Sequence, residues 1–457
     1  MKKIHSLIVP GALVFVALAQ SLHAVPAFAR QTGLECFMCH ANNQSNLNAL
    51  GRKFAQSSYM MTKENNSESL LSGEKIGIDS DTVLNASVML KAKLDKGYDV
   101  INGKGEVVET SDEDEIGVNR GAYEMFKTST AHLAGKVVSN VGTLLEVREK
   151  ESRAILGGKF ISSMKVDDVS YAGVALYSTD NYGPFSGMET YNTGLYKPLR
   201  QFENHKLTNA AQAADLGTGS ATGLQAYYGG ENIFATIGAY VPLHHGDEIK
   251  VSNSLIPFAR LAYEQKIGDL NLIVGAYGLK GKATADNTTW DTTLSGLIPS
   301  ANVEIEREAY GFDMQLEGEM FSIPSMLTAI VVIRSKTTLD NPDLMNYAPF
   351  PAHGVPQSDF IYGEPYDGEN SAYSVSYEFY PTSALGLKLA YLHEDDKGPH
   401  TFEPDKVDVK DKDAYSVGFD YSYRQNIAFT LEYSFVQADK EGIEDYSDLL
   451  AVMTASF

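Results

Sequence analysis

The chain has 457 residues, with 37 basic and 59 acidic side chains, and therefore a net charge of −22 at pH 7 when its histidines are neutral. This acidic balance argues against a nucleic-acid partner, because binding to phosphates requires a basic face. Two cysteines in a chain of this length also exclude a disulfide-stabilised scaffold. The 26 tyrosines, 20 phenylalanines and 39 glycines, beside one tryptophan, favour many short β-strands over helices.

The N-terminus has the pattern of a secretory signal. A basic start, Met1-Lys2-Lys3, precedes an apolar stretch from Ile4 to Ala19 and a series of small residues that ends at Ala29. This arrangement is typical of a segment that is removed on export, rather than of a membrane-spanning helix. We assign residues 1–24 to the signal and leave the cleavage site open between residues 19 and 29. No other stretch reaches the roughly eighteen apolar residues of a spanning helix.

The only two cysteines, Cys36 and Cys39, directly precede His40 in a C-x-x-C-H pattern. This is the pattern of c-type haem attachment, in which each thiol bonds one vinyl group and the histidine reaches the iron. A zinc site would need two further ligands at matching spacing, and a thioredoxin-like pair is expected within a βαβ unit. The pattern predicts one covalently attached haem c, with a reactive dithiol or an ordinary disulfide as the alternatives. Cys36 and Cys39 would hold the porphyrin, and His40 would be the proximal iron ligand.

A short amphipathic helix follows the motif, because Leu47, Leu50 and Phe54 recur at helical spacing. We expect this helix to pack on the haem within a small α-helical monohaem cytochrome c domain, residues 25–65. Such a domain is too short to bury a porphyrin alone, so it should lean on a larger structure. Residues 66–79 form a polar linker.

Beyond the linker, apolar residues recur with a period of two. Val88, Leu90 and Leu94 point to one side of a predicted strand, while Lys91 and Lys93 point to the other. The same alternation appears in residues 373–379, 415–421 and 429–435. A soluble sandwich shows such alternation, and so does a transmembrane barrel with strands of about ten residues.

The connections between the strands favour the barrel. Strands are predicted at residues 83–94, 120–132, 137–147, 154–164, 168–178, 219–228, 231–241, 256–267, 269–280, 302–319, 326–336, 371–380, 384–394, 412–424, 426–437 and 447–457. They number about sixteen, and short and long connections mostly alternate, as in bacterial outer-membrane barrels. The chain also ends on an aromatic residue, Phe457. Residues 80–457 are therefore predicted to form an all-β, antiparallel, porin-like barrel in contact with outer-membrane lipid, and a soluble all-β domain is the alternative.

The same topology predicts an orientation. With both termini in the periplasm, the short turns are periplasmic and the long connections are extracellular loops, including those near residues 98–117 and 180–218. The cytochrome domain then lies on the periplasmic side or in the barrel lumen. The connection at 98–117 carries seven acidic residues and one lysine. Such loops keep a surface solvated, and together they would also concentrate cations at the outer mouth.

Two segments resemble a known family. Residues 27–33, which lead into the C-x-x-C-H motif, and the later Leu50-Gly51-Arg52-Lys53-Phe54 are similar to the N-terminus of the fused outer-membrane cytochrome-porins of iron-oxidising bacteria. The resemblance covers about residues 26–54. It implies one c-type haem joined to a porin-like barrel, which takes electrons from extracellular Fe(II).

The sixth ligand of the iron is not given by the motif. Met60 or Met61 could fold back over the ring, and a His/Met pair would raise the potential. Ordinary packing is the alternative role for either methionine. His132, predicted near a periplasmic strand end, is the next candidate, with a plain lumen residue as its alternative.

The sequence thus predicts an electron-transfer protein with Fe(II)-oxidising activity. Extracellular Fe(II), or another reductant, would reduce the haem, and a periplasmic c-type cytochrome or other carrier would accept the electron. The alternative is a diffusive porin whose haem domain is a plug or sensor. A peroxidase would need a distal acid–base residue, and the sequence has no recognisable distal His-Arg arrangement.

Overall fold

The computed structural model describes most of the barrel and most of the segment that precedes it. The described residues are 25–41, 46–62, 71–72, 82–96, 122–126, 129–150, 153–204, 209–242, 255–286, 302–340, 366–382, 384–396, 411–424, 426–438 and 445–457. The predicted signal, the acidic connection at 98–117 and most of the predicted linker lie outside them. No helix among the described residues is long and apolar enough to cross a membrane.

The strands form one antiparallel sheet. They are β1 (Val83–Lys96), β2 (Ala122–Met125 and Thr130–Val138), β3 (Val141–Lys150), β4 (Arg153–Lys165), β5 (Tyr171–Thr179), β6 (Ala221–Gly229), β7 (Ile233–Val241), β8 (Ile256–Ile267), β9 (Leu270–Asp286), β10 (Asn302–Met320), β11 (Ile323–Asp340), β12 (Tyr366–Thr382), β13 (Leu385–Asp396), β14 (Asp411–Arg424), β15 (Ile427–Ala438) and β16 (Tyr446–Ser456). Both pieces of β2 pair with β1, as does a two-residue strand, Leu71–Ser72.

The sheet closes into a barrel because β16 pairs with β1, from Leu449 opposite Lys96 to Ser456 opposite Met89. Phe457 continues this pairing with two backbone hydrogen bonds to Val88. The closed barrel of sixteen antiparallel strands confirms the predicted fold class. Closure leaves no exposed sheet edge, which is the condition for a sheet to cross a lipid bilayer.

The outer face of the barrel is apolar. Along β14, the large side chains of Tyr415, Val417 and Phe419 are exposed. Residues at the alternate positions, such as Ser416 and Asp420, are buried on the inside. This alternation of apolar outward and polar inward positions is typical of outer-membrane barrels.

The first hairpin turn differs from the prediction. The sequence predicts one strand up to residue 132 and the next from 137, but β2 continues to Val138 and turns at Ser139 and Asn140. His132 therefore lies within a strand, opposite Glu146 of β3, and not near the strand end as predicted.

The N-terminal segment lies inside the barrel. Its elements are α1 (Pro26–Thr32), a 3₁₀ turn (Cys36–Met38) and α2 (Ala49–Gln56). Lys53 donates to the carbonyl of Gly230, in the short turn after β6, and Tyr227 donates to the carbonyl of Gln56 at 2.7 Å. These contacts place the segment at the end of the barrel that carries the short turns.

The described residues of the connection between β5 and β6, 180–204 and 209–220, also lie inside the barrel, which corrects the prediction of an extracellular loop at 180–218. Side chains such as Phe185, Met188 and Leu195 are buried within the lumen. A loop exposed to solvent would lose the stabilisation that comes from this apolar burial. The connection carries a short 3₁₀ turn (Pro184–Gly187) and a single helical turn, α3 (Ala210–Ala213).

Candidate functional site

The C-x-x-C-H motif forms a tight helical turn. The backbone amides of Cys39 and His40 both donate to the carbonyl of Cys36, at 3.0 and 2.9 Å. Residues three and four apart share one side of such a turn. Cys36, Cys39 and His40 accordingly line one cavity, whereas Phe37 and Met38 are 46% and 42% exposed. The two cysteines are not joined in a disulfide.

Helix α2 is packed directly against this turn. Asn48 caps the helix by accepting from the amide of Gly51 at 3.1 Å, and its side-chain amide donates to the carbonyl of Met38 at 3.0 Å. A Cβ atom at Gly51 would lie 2.2 Å from the carbonyl oxygen of Cys39. The helix therefore approaches the turn as closely as it does only because residue 51 is glycine.

The cavity beside the motif has a volume of about 540 Å³. This is within the range of pockets that bind small molecules and cofactors. Its walls come from the N-terminal segment, from strands β1 to β4 and from the connection between β5 and β6.

Aromatic rings form part of the cavity wall. Phe28 of α1, Phe54 of α2 and Tyr59 form a cluster of edge-to-face and tilted contacts, with ring centroids 4.5 to 5.4 Å apart. The helix periodicity predicted Phe54 on this face, and Phe28 and Tyr59 complete the cluster from both sides of it. The three rings give the cavity an apolar surface on the side of the motif.

The cavity is more basic than the protein as a whole. Four carboxylates line it together with six basic side chains, which are Lys91, Lys93, Arg148, Lys159, Lys197 and Arg200. Lys91 contacts Glu203 at 2.9 Å. With its histidines neutral, the lining carries an excess of positive charge, in a chain whose net charge is −22. The cavity is thus suited to a ligand that is largely apolar and bears anionic groups.

His132 lines the same cavity from the wall of the barrel. It is 7% exposed, and its Nε2 atom lies 3.4 Å from Oε2 of Glu146. Glu146 in turn accepts a hydrogen bond of 2.6 Å from the hydroxyl of Tyr182. The Nδ1 atom of His132 is buried and has no hydrogen-bond partner among the described residues.

The two predicted methionine ligands do not lie on the cavity wall. Neither Met60 nor Met61 is among the residues that line the cavity, and the side chain of Met61 is 37% exposed. The backbone carbonyl of Met61 accepts from Gln31 at 2.9 Å, which ties this part of the chain to α1. Met89 of β1 does line the cavity, and sequence reasoning missed it. Its place on the inward side of a predicted strand was the available signal.

Buried ion pairs hold the N-terminal segment in the lumen. Arg52 of α2 contacts Glu264 at 3.1 Å and Glu317 at 2.5 Å, and its side chain is 2% exposed. Burial acts to lower the pKa of Arg52, but the two carboxylates outweigh it and raise that pKa. Asn46 adds a hydrogen bond of 3.1 Å to Glu378.

The chemistry of the donor set fits a covalently attached haem. Burial raises the pKa of the Cys39 thiol, and Cys36 is itself buried. Among the described residues, no group of three or more His, Cys, Asp and Glu side chains is close enough to hold a metal ion by itself. The cavity is therefore lined by two thiols that are not joined in a disulfide and by histidines that, within the described residues, are not part of a metal-binding cluster. These are the groups that would bond to a covalently attached haem and to its iron.

Comparison with protein-family models and with curated protein sequences gives no match. Among solved structures, the outer-membrane protein OmpT of Vibrio cholerae is 9% identical, with a TM-score of 0.44, over 82% of this chain and 97% of that chain. An anion-selective porin from Comamonas acidovorans has a TM-score of 0.45 at 12% identity, over 82% and 99% of the two chains. The channel DcaP of Acinetobacter baumannii has a TM-score of 0.45 at 14% identity, over 82% and 97%. At these values the similarity concerns the type of barrel alone.

Proposed function

We propose that this protein is an outer-membrane electron conduit, which takes electrons from an extracellular donor through one covalent haem c and passes them to a periplasmic carrier. One observation carries the proposal. Cys36, Cys39 and His40 face a single cavity inside the lumen, while the two residues between the cysteines face outward.

Several residues of the cavity would together bind the haem. A bound haem supplies an iron that changes between the ferric and ferrous states. The thiols of Cys36 and Cys39 would bond its vinyl groups, and His40 would be the proximal ligand. The rings of Phe28, Phe54 and Tyr59 would exclude water, and the basic side chains would neutralise the propionates.

The barrel supports a location in the outer membrane, because it is closed, even-stranded and apolar on its outside. In barrels of this type the short turns face the periplasm. The N-terminal segment, with Phe37 and Met38 exposed, would then lie on the periplasmic side of the lumen. A periplasmic c-type cytochrome or another carrier could approach the motif there.

The identity of the donor rests on the resemblance of residues 26–54 to the cytochrome-porins of iron-oxidising bacteria. Extracellular Fe(II) would give up one electron and become Fe(III), and the group held by Cys36, Cys39 and His40 would accept that electron. The periplasmic carrier would then accept that electron. The acidic composition of residues 98–117 is compatible with a cationic donor, although these residues lie outside those that the structure describes.

The porin-like barrel also favours a second candidate, a diffusive porin with a haem-bearing plug or sensor. The connection between β5 and β6 supports the conduit instead, because it occupies the lumen and is tied both to the N-terminal segment and to the opposite wall. Asn192 accepts from the amide of Leu47 at 2.8 Å, and Gln201 donates to Thr328 of β11 at 2.9 Å. The amide of Glu203 donates to Glu432 of β15 at 2.7 Å.

Anaerobic addition of Fe(II) to the purified, haem-loaded protein tests the proposal. We expect the absorption spectrum to change to that of a ferrous c-type haem, with no such change in a Cys36→Ser/Cys39→Ser variant. Haem-loaded protein that Fe(II) fails to reduce would contradict the conduit. Steady, large currents through the haem-loaded protein in a planar bilayer would favour the porin.

A further inference from the structure

The cavity contains a second histidine that the motif does not supply. We propose that His132, on the barrel wall, is the distal axial ligand of the haem iron, an inference that rests on the proposed function. The haem would then be bonded on one side to the N-terminal segment and on the other side to the barrel itself.

His132 and the C-x-x-C-H motif line the same cavity. Cys36, Cys39 and His40 line the cavity from the N-terminal segment, and His132 lines it from strand β2. The register of β2 with β1 places Ser87 directly opposite His132, so this part of the wall faces the lumen. A group that is bound to the motif and fills the cavity would also reach the barrel wall at His132.

The imidazole ring of His132 is not fully hydrogen-bonded within the described residues. His132 is buried, and its Nδ1 atom has no hydrogen-bond partner among the described residues. A buried polar atom without a partner is costly, and such an atom in a native protein indicates a missing ligand or water. Among the described residues, His132 therefore lines the cavity and has one ring nitrogen without a hydrogen-bond partner.

Glu146 and Tyr182 hold the imidazole ring of His132 in place. Glu146 is the cross-strand neighbour of His132, with the Nε2 and Oε2 atoms 3.4 Å apart. Tyr182 fixes the carboxylate through a hydrogen bond of 2.6 Å. Histidine ligands of metals are commonly oriented by such a carboxylate, which fixes the ring and makes it a stronger donor. Glu146 is thus assigned as a positioning residue.

Methionines are the competing ligands. Met60 and Met61 do not line the cavity, whereas Met89 of β1 does. Met89 lies opposite Thr130, two residues from His132 along the neighbouring strand. No carboxylate pairs with a thioether, so the pair of Glu146 and Tyr182 would have no role in a His/Met site. A His/His site also has a lower potential than a His/Met site.

The test is the spectrum of the ferric haem in full-length variants that retain covalent haem on a denaturing gel. We expect wild type to be low-spin and six-coordinate, and His132→Ala to be high-spin, with added imidazole restoring the low-spin form. His132→Met should remain six-coordinate, gain the charge-transfer band of a Met–iron bond and show a higher midpoint potential. Glu146→Gln should keep the low-spin spectrum but raise the midpoint potential, because the ring becomes a weaker donor.

Three variants serve as controls. His393→Ala removes another histidine with a cross-strand carboxylate, Asp413 at 3.0 Å, that does not line the cavity, and it should leave the spectrum unchanged. Met89→Ala and the double variant Met60→Ala/Met61→Ala should also leave it unchanged. A low-spin spectrum in His132→Ala without imidazole, or a high-spin spectrum in a methionine variant, would overturn the proposal. Absence of covalent haem from wild type would instead overturn the proposed function.

Discussion

Two sides of the lumen use charge in different ways. On the side of strands β13 to β15, Lys388 contacts Asp420 at 2.6 Å and Glu432 at 3.8 Å, and all three side chains are almost fully buried. On the side of strands β1 to β4, basic residues such as Lys93 surround an open cavity. The first arrangement is compensated within the protein, and the second has room and positive charge for an anionic ligand.

The largest expected effect separates the two sides directly. Lys388→Met leaves Asp420 and Glu432 buried without their cation, which costs about 3–5 kcal/mol for a broken buried pair. Lys93→Met should cost far less, because its loss relieves repulsion among the basic residues of the cavity. Urea unfolding in detergent micelles measures both free energies. Equal losses in the two variants would contradict the distinction.

The next effect is a dependence on pH at Glu189, which lies in the connection between β5 and β6. Burial raises the pKa of Glu189 to about 7, although Arg260 lies 2.5 Å away and acts to lower that pKa. Between pH 4.5 and 7 the unfolded chain loses this proton while the folded protein keeps it. The free energy of unfolding should therefore fall with rising pH across this window, by about 3 kcal/mol in total, and change no further above it.

Glu189→Gln is the matched control for this dependence, because an amide of the same shape does not titrate. The difference in unfolding free energy between wild type and Glu189→Gln should shrink as the pH falls from 8 to 5. A difference that is constant with pH would show that Glu189 is ionised throughout the window.

A smaller effect is expected where α2 meets the C-x-x-C-H turn. Gly51→Ala introduces a methyl group 2.2 Å from the carbonyl oxygen of Cys39. Overpacking of this kind costs about 1–3 kcal/mol. The variant should attach less haem during expression, as measured by haem staining relative to total protein. Gly278→Ala is the control, because its methyl group would make only an ordinary contact of 3.4 Å. Normal haem loading in Gly51→Ala would contradict the close packing.

The smallest effect is expected on the outward side of the motif. Phe37→Ser and Met38→Ser change exposed residues and should alter the free energy of unfolding by no more than about 0.5 kcal/mol. Both variants should retain covalent haem. Loss of haem in either one, on the same denaturing gel, would show that the intervening residues face the cavity after all.

The barrel wall could be predicted from the sequence because its alternation is local. Each strand carries its own inward and outward pattern, and β14 shows it within seven residues, 414–420. The first hairpin turn was predicted between residues 132 and 137, but Gly135 of that interval lies within β2 with φ of +140°. There a Cβ atom would lie 2.1 Å from the carbonyl of Val83, so the glycine allows close backbone approach.

The contents of the lumen were only partly predictable. The motif itself indicated that Cys36, Cys39 and His40 act together, since their spacing is local. The partners of Arg52, by contrast, are Glu264 and Glu317, more than two hundred residues away. Such pairs depend on how the barrel closes, and no local pattern reveals them. The inward course of residues 180–204 and 209–218 was not predicted for the same reason.

The intact mass of the purified protein, expressed together with a c-type haem maturation system, tests the central claim most directly. We expect the wild-type chain to gain the mass of one haem and a Cys36→Ser/Cys39→Ser variant to gain none, while both form the same barrel. A folded wild-type barrel without the added mass would contradict it.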